Sequence, residues 1–120
     1  MINAIVYTSN TGTTAEYARL LGARAGLPVY DLKEAKSRLA GGEEIIYLGW
    51  LMASGVKGCK KAMKRWKVRA VCGVGMGGTG TQLEELRKAN GFPDSLPVFT
   101  MQGGLRIDRL RGVYKLMITL

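Results

Sequence analysis

Residues 2 to 14, Ile-Asn-Ala-Ile-Val-Tyr-Thr-Ser-Asn-Thr-Gly-Thr-Thr, limit the fold more than any other stretch. An apolar run breaks into a loop of small hydroxyl residues and glycine, and then enters a helix. Ile2, Ala4, Ile5, Val6 and Tyr7 are nearly all apolar, the pattern of a strand covered on both faces in an α/β sheet. From Thr13 the period becomes helical, with Thr14, Ala18, Leu21 and Ala25 on one face. Between the two, Thr8, Ser9, Thr11, Thr13 and Thr14 supply five hydroxyls, and Gly12 lets the backbone turn its N–H groups inward. A helix cap needs one hydroxyl, so five favour a bound anion such as a phosphate, held without any Lys or Arg in the loop.

Similar junctions recur along the chain. Gly26-Leu27-Pro28 ends the first helix, Val29 to Leu32 is a short second strand, and Lys33 to Leu39 is a helical turn or two. Gly41-Gly42 precedes a third strand over Glu44 to Leu48. A glycine-bracketed loop, Gly49 to Gly55, would then expose Trp50, Leu51 and Met52. Val56, Cys59, Met63 and Trp66 keep a helical spacing over 56 to 69. Val68 to Val74 is a fourth strand, 80 to 90 a helix with Leu83, Leu86 and Ala89 facing in, and Leu96 to Met101 a fifth strand. The last helix carries Ile107, Leu110, Tyr114 and Met117 on one face. This alternation predicts a parallel sheet with helices on both faces.

With 120 residues, 47% of them hydrophobic, the expectation is one domain over 1–120 with a real core. No apolar run approaches the roughly 20 residues of a membrane span, and no basic-then-apolar leader is visible, so the expected location is cytoplasmic. Cys59 and Cys72 form no CxxC pair and the chain has no His, which argues against a zinc site and for buried thiols. The absence of His and of any triad motif also argues against hydrolysis.

The segment Ile5-Val6-Tyr7-Thr8-Ser9-Asn10-Thr11-Gly12-Thr13-Thr14 resembles the flavodoxin signature at each of its constrained places. The resemblance implies a flavodoxin-like three-layer sandwich with five parallel strands in the order 2-1-3-4-5. It also implies an FMN whose phosphate contacts Ser9, Asn10, Thr11, Gly12, Thr13 and Thr14. Contacts to the flavin ring fall by the same resemblance on Trp50, Leu51, Met52 and Ala53 in one loop and on Gly75, Met76 and Gly77 in another, with Trp50 or Met52 as the stacking residue. A tryptophan packed over the sheet end would look the same in sequence. Residues 73 to 80 contain G-x-G-x-x-G twice, which suggests a dinucleotide fingerprint. That motif normally follows the first strand, and here the glycines fit better with backbone lying close to a flavin edge. Many flavodoxins stack a tyrosine from this loop on the outer ring face. Met76 is the one large side chain here, so that face is expected to be more open.

The chain end is similar to a flavodoxin subgroup that includes menaquinone-dependent protoporphyrinogen oxidase, but lacks the insertion before its last helix. The expected function is electron transfer between redox partners through FMN, with an FMN-dependent reductase or oxidase of a quinone, porphyrin or other planar substrate as the alternative. Flavodoxins are usually acidic, whereas this chain carries a net charge of +9. Seven basic residues fall in the 13 from Lys57 to Arg69 with no acid among them. Lys57, Lys60, Lys61 and Lys64 share one face and are expected to dock an acidic redox partner. Nucleic acid is not expected, since Trp66 is the only aromatic interleaved with the basic run.

Overall fold

A computed structural model describes residues 1–10, 12–52, 55–75, 83–102, 111, 112, 114 and 115. Six strands and four helices are found among them: β1 (Ala4–Tyr7), α1 (Thr13–Ala25), β2 (Val29–Asp31), α2 (Leu32–Arg38), β3 (Glu44–Met52), β4 (Gly55–Val56), α3 (Cys59–Arg65), β5 (Lys67–Gly75), α4 (Leu83–Asn90) and β6 (Val98–Gln102). The strands run β2-β1-β3-β5-β6, all parallel, and β4 pairs antiparallel with β3 off this path. Numbered without β4, this is the expected order 2-1-3-4-5.

Hydrophobic patterning explains the layers. Alternate residues of the strands point to opposite faces. Ile5, Ile46, Leu48, Ala70, Cys72 and Val74 meet Tyr17, Ala18 and Leu21 of α1 on one face. Ala4, Val6, Ile45, Tyr47 and Val71 meet Ala35, Cys59, Ala62, Trp66 and Leu86 of α2, α3 and α4 on the other. Helix ends follow their local chemistry: the Asp31 side chain accepts the Glu34 N–H at 2.7 Å to start α2, and Gly26 ends α1 at φ 69°.

Three local expectations are corrected. Residues 49 to 52 are not a loop, because β3 continues for nine residues and pairs with β5 as far as Trp50 and Val74. Pairing with a neighbour of equal length overrides the turn signal of the glycines. Val56 does not belong to a helix: it closes a hairpin on Leu51, and α3 is only the seven residues Cys59–Arg65, with Cys59 and Ala62 as its buried positions. The last strand begins at Val98, since Leu96 is held in a turn by its N–H bond to the Pro93 carbonyl at 3.1 Å. Of the expected final helix, Arg111, Gly112, Tyr114 and Lys115 are helical, and Ile107, Leu110 and Met117 lie outside the described residues. Tyr114 packs on the α1 side, with the Arg24 guanidinium 4.9 Å from its ring centre.

Candidate functional site

Among the described residues, Ser9 and Gly12 join the two ends of the loop after β1. Ser9 Oγ accepts the Gly12 N–H at 3.0 Å, Gly12 adopts φ 93°, and its carbonyl accepts the Glu16 N–H at 3.0 Å. No side chain caps α1. The start of α1 presents the positive end of the helix dipole to the loop. Asn10 and Gly12 are exposed, Ser9 and Thr13 half-buried, and Thr14 buried. Thr11 lies outside the described residues.

Two further basic residues approach this loop. A cavity of about 320 Å³ beside Ser9 is lined by Tyr7, Thr8, Asp31, Leu32, Lys33 and Lys36. The loop has no cation of its own, but the β1–β2 pairing of Tyr7 with Asp31 brings the start of α2 next to it. Lys33 and Lys36 thus line the same cavity as Ser9, together with Asp31, and no motif near residue 9 signals them.

The rim residues separate by side-chain direction. Tyr7 pairs with Leu48, so Ser9 and Trp50 each lie two residues past the same pair on neighbouring strands. Trp50 is half-buried, its carbonyl accepts the Lys57 N–H at 3.0 Å, and Lys57 Nζ lies 6.0 Å from its ring centre. Leu51 points to the opposite face and is half-buried rather than exposed. A Cβ placed on Gly73 would lie 2.7 Å from Leu51 Cδ2, and one on Gly75 would lie 2.8 Å from Leu51 Cβ. These two glycines are therefore filled by a leucine from the adjacent strand. Met52 is 54% exposed. Ala53, Met76 and Gly77 lie outside the described residues.

The hairpin is tied to the end of β1 by two hydroxyls. Tyr47 Oη donates to the Lys57 carbonyl at 2.6 Å and Thr8 Oγ1 donates to the same oxygen at 2.8 Å. Gly58, at φ 77°, packs against this node, where a Cβ would lie 2.5 Å from Tyr47 Oη and 2.9 Å from Leu32 Cδ2. Burial holds the Tyr47 phenol well above its ordinary value of 10.0. It also pushes the Cys59 and Cys72 thiols up to about 12, so neither offers a ready thiolate. Among the described residues no group of three or more His, Cys, Asp or Glu side chains could hold a metal ion, and no helix is long and apolar enough to cross a membrane.

No family model matches the chain, and no curated protein matches it either. Among solved structures it is similar to one described as a flavodoxin from the domain Archaea, with 15% sequence identity and a TM-score of 0.53. That match covers 99% of this chain and 95% of the other. The likeness establishes a flavodoxin-like fold.

Proposed function

We propose that this protein binds FMN at the carboxyl edge of its sheet and carries electrons between redox partners. The observation that carries this reading is the loop at residues 9 to 14. The Ser9–Gly12 bond and left-handed Gly12 set the start of α1, with the positive end of its dipole, at the sheet edge where open α/β folds bind ligands, which supports an anion there. The residues fit the group. Ser9, Asn10, Thr11, Gly12, Thr13 and Thr14 would hold the phosphate through N–H groups and hydroxyls, and Lys33 and Lys36 add positive potential from the side.

FMN would supply reversible electron transfer, while the chain binds it, covers it and sets its surroundings. Trp50, half-buried near the end of β3, would cover one ring face, with the exposed Met52 two residues further on. Leu51 contributes indirectly, because its side chain is committed to Gly73 and Gly75. Ala53, Gly75, Met76 and Gly77 complete the proposed ring contacts. The acidic partner would dock on Lys57, Lys60, Lys61 and Lys64, all of them exposed.

A second reading, direct reduction of a planar small acceptor, draws support from the lack of an aromatic residue in 73 to 80. Titrating the apoprotein with FMN while following flavin fluorescence tests the main reading. Saturable binding that is lost in Gly12→Glu and largely kept in Gly12→Asn is expected, since Asn tolerates left-handed backbone and adds no charge. Absence of binding to the parent protein, or full retention in Gly12→Glu, would overturn it.

A further inference from the structure

A second cavity of about 380 Å³ lies toward α3 and shares Thr8 and Leu32 with the cavity beside Ser9. Its walls divide by chemistry. Leu32, Met52, Val56 and Ala89 give it apolar surface, and Lys57, Lys60 and Lys61 also line it. The volume falls near the lower end of the range for small-molecule sites, and the mixture of apolar wall and a few converging polar groups is the composition such sites have.

The cavity is framed by hydrogen bonds, of which those of Asn90 are buried. Asn90 accepts the Val56 N–H on Oδ1 at 3.1 Å and donates from Nδ2 to the Leu86 carbonyl at 2.8 Å, which fixes the hairpin to the end of α4. On the opposite wall, Tyr47 and Thr8 converge on the Lys57 carbonyl. None of the ion pairs found among the described residues uses Lys57, Lys60 or Lys61. Three like charges around one concavity repel each other unless an anion enters.

We infer that this cavity binds a small organic anion, a carboxylate or phosphate carried on an apolar body the size of a fused ring pair. The head group lies among Lys57, Lys60 and Lys61, and the body lies against Leu32, Met52, Val56 and Ala89. The cavity meets the proposed FMN site at Met52, and its anion is held by Lys60 and Lys61, which the FMN reading does not use. It overlaps the proposed partner-docking face at Lys57, Lys60 and Lys61, while Lys64 lies outside its lining.

The test uses the full chain without flavin and naphthoate as the probe, followed by amide shifts at Gly55, Val56 and Gly58 in NMR. Saturable shifts confined to this region are expected. Naphthol, the same shape without the charge, should bind about tenfold more weakly or worse, and Lys60→Gln/Lys61→Gln should weaken naphthoate by about tenfold while Lys64→Gln leaves it unchanged. Equal binding of naphthol, or full retention in the double variant, would overturn the inference. FMN titration of the same double variant separates the two sites: unchanged FMN affinity supports a distinct site, and a parallel loss of FMN and naphthoate would make the cavity part of the flavin site and overturn it. Naphthoate binding in a chain that takes no FMN would leave this inference standing and remove the electron-carrier reading.

Discussion

The phenol of Tyr47 and the backbone carbonyl of Lys57 are joined by a hydrogen bond of 2.6 Å, and this bond fastens the hairpin after β3 to the interior of the sheet. Tyr47 has no exposed surface, so water cannot take its place without local opening. Tyr47→Phe should cost about 1–2 kcal/mol, because Thr8 Oγ1 still donates to the same oxygen at 2.8 Å. Combining it with Thr8→Val should cost more than the two single changes together, since the carbonyl is then orphaned. Urea denaturation midpoints of the three variants check this. Strict additivity would show that the two hydroxyls act independently.

Leu51 and the two glycines beneath it supply a second test. Gly73→Ala puts a methyl group 2.7 Å from Leu51 Cδ2, a clash with a side-chain end, and should destabilise by about 1–3 kcal/mol. Leu51→Ala removes that carbon and should recover part of the loss. For Gly75→Ala the nearest atom is Leu51 Cβ, which alanine keeps, so the same second change should recover much less. Thermal unfolding of the two pairs distinguishes these outcomes.

The buried thiols set an alkaline limit. Their folded values near 12, against an ordinary 9.0, mean about a thousandfold less thiolate at a given pH than for a free cysteine. Native protein should react very slowly with a thiol reagent at mildly alkaline pH, and both cysteines should react once it is unfolded. The folded state holds these protons more tightly than the unfolded chain. Their contribution to stability is therefore full below about pH 9 and is lost as the pH rises toward 12. Tyr47, shifted in the same direction, adds to the loss. Cys59→Ala/Cys72→Ala should flatten that alkaline decline when stability is measured against pH.

Charge reversal tests the proposed partner surface. In Lys60→Glu/Lys61→Glu/Lys64→Glu, electron transfer to an acidic partner should slow by at least about tenfold at low salt, and the difference should shrink once the Debye length falls to about 10 Å. Stopped-flow rates across a salt series measure this. Equal rates for parent and variant would reduce the lysines to a solvated face.

Much of this architecture was legible because it depends on neighbours in sequence. Ile5 and Val6 followed by hydroxyls and Gly12 specify strand, turn and helix within a dozen residues, and the observed α1 begins at Thr13 as its period predicts. The hairpin was hidden because Val56 stands at helical spacing from Cys59, yet its position is decided by Leu51 and by Asn90, 34 residues away. Leu51 looked like a rim residue until its register above Gly73 and Gly75 was known. Lys33 and Lys36 come to line the same cavity as Ser9 through the parallel pairing of β1 and β2, which local pattern does not encode.

Gly12 and Gly58 share a left-handed backbone but differ in what surrounds them. A Cβ on Gly12 meets nothing within 4 Å, whereas one on Gly58 meets Tyr47, Leu32 and Thr8 within 3.0 Å. In a library of all substitutions, position 12 should therefore accept Asn and Asp as folded variants, with selection acting only on what the loop binds. Position 58 has no such neighbours in sequence space, because any side chain must displace three residues at once. The loop at residue 12 can drift and return while the hairpin at residue 58 stays a fixed point, so the first can vary without rebuilding the second.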